Sequence, residues 1–424
     1  MGEWIGAAEA ARRLGVKQAS LYSYVSRGVL TRRKTHGSRA SLFSAAEVEG
    51  LARRGRPRRA PRPAELVIET GLTEISGDQL RYRGMDAIAL ASTCTFEQVA
   101  SLLWTGALGE PGGGDGRSLP GEPWEATATA VAAGSAAQAA LPAGTLPLER
   151  LQVIVPALAA ADPLRLHLDA PAVVAAGRCL IAGMVDCLPV VQGGSAAGDG
   201  QAPRGMSEPA SGTMAERIVP RLCPADPGPR LIDAVRAALV LLADHELAAS
   251  TLAARVAASV RADPYAVVAT GLGAVGGALH GGASFGAEVM LRSASAPADA
   301  AWAVGDLLRR GERIPGFGHF VYRGRDPRAT ALLDLLRAAA PGSERLAVAE
   351  AMIAEARGRS LPEPNIDFAL AALAVVAGMI PGAGEAMFAV ARAAGWVAHA
   401  LEEYARGTPI RPRGVYTGPV VPPG

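Results

Sequence analysis

The sequence predicts an all-α body over residues 65–424, preceded by a small basic module over residues 1–56. Half of the 424 residues are apolar and only 4% are aromatic. The core must therefore consist mainly of alanine, leucine and valine, which favours closely packed helices. Residues 1–62 carry 14 Lys/Arg against 4 Asp/Glu, whereas the remainder carries 28 against 36. This asymmetry indicates a basic module with a polyanionic partner on an acidic body.

The basic module has the pattern of two helices, a hairpin and a third helix. Ala7–Leu14 has helical apolar spacing, Gly15-Val16-Lys17 interrupts it, and Gln18–Ser26 resumes it until Arg27-Gly28 ends the second helix. A hairpin with a basic tip follows, and Ser44 is placed to cap a short third helix. This order resembles the winged helix-turn-helix of MerR and excisionase-type DNA-binding proteins.

The resemblance implies a DNA-binding surface on the second helix and the hairpin. In such domains the second helix enters the major groove, and the hairpin, or wing, lies along the phosphates. The implied contacts are Lys17, Gln18, Ser20, Tyr22 and Ser23 around the second helix, and Arg32, Arg33, Lys34 and Arg39 on the wing. The alternative is a relic module that serves subunit contacts. Residues 57–64 are predicted to be a Pro/Arg-rich linker.

The body contains two Gly/Pro-rich interruptions, residues 109–123 and 192–212, the second of which is predicted to be a mobile surface insert. The longest apolar run begins at Phe368 and is interrupted by Pro381, so we predict a buried helix rather than a membrane span. The cysteines lack metal-ligand spacing and the chain opens without a signal peptide. We therefore expect a cytoplasmic protein with neither a metal site nor a disulfide scaffold.

The stretch GLGAVG, residues 271–276, matches the glycine pattern of dinucleotide-binding loops. That pattern requires a preceding strand and a surrounding βαβ unit. Here it lies inside a helical run, so we predict that the glycines allow two helices to approach closely.

Three of the six histidines are candidates for a site in the body: His245 lies between two acidic residues, and His280 and His319 each lie beside a glycine. His280 precedes glycines that open a helix, which should lower its pKa and keep its N–H available to polarise a carbonyl. Asp367, at another predicted helix start, is placed to take a proton from carbon. His319, in GFGH, can stabilise charge on a second carbonyl. Each residue alone also fits an ordinary structural role, so the prediction depends on their combination.

Three arginines and a histidine complete this set. Arg328, Arg392, Arg411 and His245 have the chemistry to hold a small dicarboxylate through charge-assisted hydrogen bonds. Together with the acid–base residues, they are suited to enolising one substrate and adding it to the ketone of another.

The motifs DHE…S, LHGGA, GFGH…DPRA, PNID and AR…GW.AH occur in the order and spacing typical of citrate synthase, which the chain resembles over most of residues 65–424. The resemblance implies that His280 and Asp367 generate the enol of acetyl-CoA, with Asp367 as the base. It implies that His319 polarises the keto group of oxaloacetate. Hydrolysis of the condensed thioester would then give citrate and free CoA, without a cofactor.

The resemblance also implies how the substrates are bound. His245, Arg328 and Arg392 would bind the carboxylates of oxaloacetate, together with Arg411 from the second subunit of a homodimer. Arg323 would contact a phosphate of CoA. The implied fold is all-α, with a large domain of residues 65–280 and 379–424 and a small domain of residues 281–378.

Three positions depart from the common family pattern: Ala248 and Ser284 stand where asparagine is usual, and Phe320 stands where many bacterial members have arginine. None of these changes removes a catalytic group. The sequence therefore leaves open a 2-methylcitrate synthase that uses propionyl-CoA, since one methylene is worth only about 1–3 kcal/mol in a pocket. It also leaves open a DNA-binding regulator whose synthase-like body senses metabolites.

Overall fold

The computed structural model describes residues 4–14, 16, 18–26, 29–34, 41–54, 67–108, 124–191, 212–277, 279–322 and 324–418. Lys17, Arg39 and Arg323 lie outside these residues, as do the side chains of Ser23 and Lys34. The predicted linker 57–64, the stretch 109–123 and residues 192–211 also lie outside them. The chain divides into two compact units, Met1–Glu69 and Thr70–Gly424.

The first unit contains three strands and three helices. They are β1 (Trp4–Gly6), α1 (Ala7–Leu14), α2 (Gln18–Ser26), β2 (Arg32–Lys34), β3 (Ser41–Ser44) and α3 (Ala45–Arg54). The strands form an antiparallel sheet in the order β1-β3-β2. Leu21, Phe43 and Val48 are fully buried in its core. The Ser44 hydroxyl accepts the Glu47 N–H at 3.4 Å, which confirms the predicted cap, whereas β1 was not predicted.

The second unit begins with three strands, which corrects the all-α prediction. They are β4 (Thr73–Ser76), β5 (Gln79–Tyr82) and β6 (Met85–Asp86), and they form an antiparallel meander. Leu80 and Tyr82 are buried on alternate positions of β5. Gly77 and Gly84 make the turns with φ values of 60° and 83°, a region that glycine enters without steric cost.

Helices form the rest of the described second unit, in agreement with the prediction. They are α4 (Ala87–Thr93), α5 (Phe96–Thr105), α6 (Ala128–Ala139), α7 (Pro147–Ala161), α8 (Ala170–Asp186), α9 (Met214–Leu222), α10 (Pro229–Leu242), α11 (Ala249–Ser259), α12 (Pro264–Val275), α13 (Gly282–Ser293), a 3₁₀ turn (Pro297–Asp299), α14 (Ala300–Arg309), α15 (Pro327–Ala339), α16 (Glu344–Gly358), α17 (Ile366–Val376) and α18 (Ala383–Arg406).

Helix α18 lies at the centre of this unit, packed against α5, α8, α11 and α12 among others. Alanine and glycine recur along it, and all of its residues from Ala383 to Ala400 are buried. The apolar run from Phe368 is divided between α17 and α18, both buried. Across the described ranges, no helix is long and apolar enough to cross a membrane.

The GLGAVG stretch lies within α12, as predicted. A Cβ atom at Gly271 would lie 2.5 Å from the ring of Trp396 on α18, whereas one at Gly273 would have no neighbour within 4 Å. The first glycine therefore permits close contact between α12 and α18, which confirms the helix-packing interpretation.

These two glycines make a matched pair for a stability test. Gly271→Ala is expected to lower the free energy of unfolding by about 1–3 kcal/mol, because the added methyl overpacks the contact with Trp396. Gly273→Ala is expected to raise it by up to about 1 kcal/mol, because alanine is the better helix former. Urea unfolding of both variants measures the difference. Equal effects at the two positions would contradict the close α12–α18 contact.

Candidate active site

A cavity of about 1120 Å³ in the second unit brings together six of the predicted residues. They come from the turn after α10, the turn before α13, the loop before α15, α15 itself, α17 and α18. They are His245, His280, His319, Arg328, Asp367 and Arg392.

Glycines hold the His319 loop against the start of α17. Gly316 and Gly318 have φ values of 79° and 81°, and a Cβ at Gly316 would lie 2.8 Å from the Cβ of Phe368. Asn365 donates its backbone N–H to Gly316 at 2.8 Å and its side-chain Nδ2 to the Gly318 carbonyl, also at 2.8 Å. These contacts fix His319 relative to the helix that carries Asp367.

His319 is held as a neutral imidazole. Its Nδ1 accepts the N–H groups of Val321 and Tyr322 at 3.0 and 3.4 Å, so the proton lies on Nε2. Burial, and next the charge of Arg328, lower the pKa of His319 to about 4. Nε2 lies 3.4 Å from Nη2 of Arg328. Because a guanidinium only donates, both N–H groups are available to a third atom that accepts hydrogen bonds.

Arg328 is fixed by a carboxylate that the sequence analysis did not identify. Asp326 accepts Nε and Nη2 of Arg328 at 3.0 and 2.8 Å, and both side chains are almost fully buried. The same carboxylate accepts the Ile366 N–H at 3.0 Å. Asp326 therefore ties the guanidinium to the first turn of α17, beside Asp367.

Arg392 and His245 bring a second buried cation and a neutral ring to the same wall. Arg392 donates Nε to the Leu242 carbonyl at 2.8 Å, and its guanidinium lies 4.7 Å from the ring centroid of Phe388. His245 has Nε2 at 3.0 Å from the Tyr322 hydroxyl. Burial, followed by the charges of Arg328 and Arg392, lowers the pKa of His245 well below its ordinary value.

His280 lies across the cavity, just before α13. Its Nε2 is 2.7 Å from the Ser250 hydroxyl, and its ring packs edge-on against Phe388. Burial, and then the charge of Arg392, lower the pKa of His280 to about 4. The lowered pKa agrees with the prediction, and burial is its main cause.

Asp367 lies in the first turn of α17 and is not the helix cap. Asn365 occupies the cap position, where its Oδ1 accepts the Asp367 N–H at 2.9 Å. Among the described residues, none donates a hydrogen bond to the Asp367 carboxylate. Burial raises the pKa of this carboxyl to about 7, against the opposing charges of Arg328 and Arg392. These are the properties of a general base near neutral pH.

Arg411 is not brought to the cavity of its own chain. It lies on the exposed segment after α18, outside the cavity lining, where the neighbouring Ile410 N–H bonds to Ser259 at 3.0 Å. Arg323 lies outside the described residues, so its predicted phosphate contact stays a prediction. No group of three metal-ligating side chains is arranged for an ion in the described portion of the chain.

The mouth of the cavity is apolar and basic. Leu279 and Phe320 are each 97% exposed, and Trp302 lies beside them at 60%. Arg310 pairs with Asp306 at 2.8 Å, whereas Arg313 has no ion pair with any described residue. The sequence carried no signal for this rim, because three separate segments contribute to it.

Three other residues that support the site were also missed: Ser250, Tyr322 and Asn365. Ser250 and Asn365 stood inside the motifs DHE…S and PNID, but their bonding partners are distant in sequence. Asp326 is the supporting residue that the sequence could have identified. An aspartate two residues before an arginine at a helix start favours a local ion pair between the two side chains.

The chain is similar to known proteins over most of its length. The family model for the C-terminal domain of citrate synthase matches residues 64–413. Citrate synthase from Haloferax volcanii is 33% identical over 83% of this chain and 94% of its own length. A 2-methylcitrate synthase from Mycobacterium tuberculosis is 30% identical over 80% of this chain and 85% of its own.

Other relatives align over a shorter region. Proteins from Mycobacterium tuberculosis and Mycobacterium bovis are 39% identical over 240 residues, which is 52% of this chain and 62% of their length. The chain therefore spans less than two thirds of the length of these relatives.

Solved structures show the same fold. Citrate synthase from Thermoplasma acidophilum, solved with carboxymethyl coenzyme A and oxaloacetate, matches with a TM-score of 0.64 at 25% identity. That match covers 85% of this chain and 96% of the other. Citrate synthase from Thermotoga maritima matches with a TM-score of 0.65 at 23% identity, over 84% of this chain and 95% of the other. With the family model matching most of its length, the chain belongs to the citrate synthase family.

Proposed function

We propose that the chain condenses acetyl-CoA with oxaloacetate and water to give citrate and CoA. The observation that carries this proposal is one cavity that holds a carboxyl with a pKa near 7, three neutral histidines and two buried arginines. Such a set supports proton abstraction from carbon and stabilisation of charge on oxygen.

Oxaloacetate occupies the end of the cavity next to Arg328 and Arg392. Their guanidinium groups, with His245, bind its carboxylates. The Nε2–H of His319 and the Nη2 of Arg328, 3.4 Å apart, converge on an acceptor oxygen. That oxygen is the keto oxygen, which becomes negative as the new bond forms.

Asp367 removes a proton from carbon 2 of the acyl group, and His280 donates to the thioester oxygen. Nε2 of His280 lies 2.7 Å from the Ser250 hydroxyl. In this proposal the hydroxyl is the donor of that bond, and the proton of the neutral ring is on Nδ1, available to the thioester oxygen. The enol carbon then attacks the keto carbon, and water hydrolyses the thioester. Arg313, which has no ion pair among the described residues, is suited to a CoA phosphate at the cavity mouth beside the predicted Arg323.

The acyl donor is the open point within this proposal, because the relatives include both citrate and 2-methylcitrate synthases. Free-CoA release with acetyl-CoA or propionyl-CoA, each with and without oxaloacetate, measures the preference. A higher kcat/KM with propionyl-CoA would favour the 2-methylcitrate synthase alternative. Mass spectrometry of the tricarboxylate identifies the product in each case.

The rate is expected to depend on the ionisation of Asp367. Because the base acts as a carboxylate and its pKa is raised to about 7, kcat/KM should rise about tenfold per pH unit below pH 7 and level off above it. The neutral forms of His280 and His319 persist throughout this range, since both pKa values are about 4. Full activity retained down to pH 5 would contradict this assignment. Enzyme held at low pH and assayed at pH 8 controls for inactivation.

We also propose a homodimer in which Arg411 completes the site of the other subunit. Its exposed position outside the cavity of its own chain supports this arrangement. Inactive Asp367→Ala and Arg411→Ala chains, co-expressed, are expected to recover roughly a quarter of wild-type activity, because half of the random dimers then contain one intact site. A mixture as inactive as the separate variants would contradict a shared site.

For the first unit we propose DNA binding. We also keep the proposal of a cytoplasmic protein. Arg32 and Arg33 are exposed on β2, and the Arg32 guanidinium lies 5.3 Å from the ring centroid of Tyr22 on α2. The hairpin and α2 thus present one basic, partly aromatic surface, which suits a nucleic acid backbone.

Arg32→Glu and Arg12→Glu test this surface as a matched pair, since both arginines are exposed and the charge change is the same. Arg32→Glu is expected to weaken binding to duplex DNA and to reduce the slope of log K against log salt by about one. Arg12→Glu should have the smaller effect. A wild-type chain without salt-dependent DNA binding would favour the relic module. DNA affinity altered by oxaloacetate, without turnover, would favour the metabolite-sensing regulator.

A further inference from the structure

Behind the keto-acid end of the cavity lies a buried hydrogen-bonded chain that the proposed mechanism does not use. Asp244, the residue before His245, is fully buried. Its carboxylate oxygens lie 3.2 and 3.3 Å from Nε2 of His399 on α18, and one accepts the Thr73 hydroxyl at 2.5 Å. The same oxygen accepts the Glu246 N–H at 3.2 Å. The carboxylate therefore spans both sides of His245.

The direction of the hydrogen bonds at His399 follows from its other neighbour. Nη1 of the buried Arg255 lies 2.6 Å from Nδ1 of His399. Because a guanidinium cannot accept a hydrogen bond, Nδ1 is the acceptor, and the proton of a neutral His399 is on Nε2, facing Asp244. Arg255 is held in turn by Glu402 and Glu403, at 2.7 and 2.6 Å. These hydrogen bonds thus all run in one direction, from Arg255 through His399 to Asp244.

The turn that Asp244 secures is strained. Glu246 has a φ of 54°, a left-handed conformation that non-glycine residues adopt only when surrounding contacts hold them there. The Tyr82 hydroxyl adds a further contact, since it lies 3.1 Å from the Asp244 carbonyl oxygen and at 3.1–3.2 Å from the carbonyl oxygens of Leu241 and Val240. The ring of His245 extends from this turn into the cavity wall, with its orientation dependent on the turn.

Helix α18 is shaped to reach this turn. A Cβ at Gly395 would lie 2.5 Å from both the Ala243 carbonyl oxygen and Oδ1 of Asp244. The glycine lets the helix backbone lie against the turn, one helical turn before His399. Arg392, one turn earlier on the same helix, lines the cavity.

We propose that His399 is a positioning residue, which orients Asp244 and, through the turn 244–247, sets His245 for binding the carboxylate of the keto acid. A fixed second layer of hydrogen bonds keeps a binding group close to its productive geometry. The inference rests on the proposed function, since it assigns His245 to the keto acid. It predicts that loss of His399 weakens the affinity for the keto acid and leaves the KM for the acyl-CoA nearly unchanged.

The test compares His399→Phe, which keeps the ring volume but loses both bonds, with His399→Gln, which keeps an acceptor and a donor. Calorimetric titration of the full chain gives the oxaloacetate Kd without turnover. His399→Phe is expected to raise this Kd about tenfold, and His399→Gln to recover most of the loss. KM for the acyl-CoA should stay within about twofold. Thr73→Val, which removes another bond to Asp244 from a different element, is expected to weaken oxaloacetate binding about threefold.

Tyr404→Phe on α18 is the matched control, because it loses a partly buried hydrogen bond to the Ala262 carbonyl, away from this turn. It should lower stability without changing the oxaloacetate Kd. Equal Kd values for folded His399→Phe and wild type would overturn the inference, while leaving the proposed function intact. If His399→Phe does not fold, an unchanged Kd in Thr73→Val overturns it instead. A wild-type chain that binds no oxaloacetate overturns both proposals.

Discussion

Asp367→Asn is expected to lower kcat by about 10²–10⁴-fold, because an amide cannot accept the proton from carbon 2 of the acyl group. Oxaloacetate should bind with unchanged affinity, since the guanidinium of Arg328 is held by Asp326 rather than by Asp367. The measurement is free-CoA release at saturating substrates, with calorimetric titration of oxaloacetate as the control.

The same substitution should not destabilise the protein at pH 8. The folded-state pKa of Asp367 is raised to about 7, so the folded chain binds this proton more tightly than the unfolded chain does. The free energy of unfolding therefore falls as the pH rises from about 4, the pKa of an aspartate in the unfolded chain, to about 7. The neutral amide of Asn removes that loss of stability. A Tm at or above that of wild type, with activity lost, is the expected combination. Retained turnover would contradict the role of Asp367 as the base.

Arg328→Met is expected to abolish measurable oxaloacetate binding and to reduce the free energy of unfolding by about 3–5 kcal/mol. The substitution removes the two side-chain bonds to Asp326, at 3.0 and 2.8 Å, and leaves a buried carboxylate without its cation. Urea unfolding and calorimetric titration measure the two effects.

The double variant Asp326→Asn/Arg328→Met separates these effects. Removing the second charge should restore part of the stability, because no unpaired carboxylate then remains buried. Oxaloacetate binding should stay lost, since the binding group is absent. Binding that recovers together with stability would show that Arg328 acts only through the fold.

The helices of both units were predictable because their signals are local. Ala7–Leu14 and Gln18–Ser26 were bounded by glycines, and GLGAVG was identified as a helix-packing stretch because it had no βαβ context. The meander β4–β6 was missed, since its strands have at most four residues and their alternation is shorter than the helical patterns around them.

The six side chains that line the cavity were predictable, because residues with the required chemistry occur in a recognisable order along the sequence. The residues that hold these side chains by hydrogen bonds were not predictable, because most of the bonds join segments that are distant in sequence. The contact between Ser250 and His280 spans 30 residues, and that between Asp244 and His399 spans 155. The hydrogen-bond direction at Nδ1 of His319 likewise depends on the loop that folds back over it. Such pairings arise from packing, which a reading of local patterns does not supply.

The most direct test of the central claim is to follow the acyl carbon itself. Acetyl-CoA and propionyl-CoA, each labelled with carbon-13 at carbon 2, are incubated with oxaloacetate and the wild-type chain, and the products are observed by NMR. Condensation predicts that the labelled carbon appears bonded to the former keto carbon of a tricarboxylate, with one free CoA released per product. Labelled acetate or propionate instead would mean thioester hydrolysis alone. That result, or no conversion by a chain that binds oxaloacetate, would contradict the proposed carbon–carbon bond formation in this cavity.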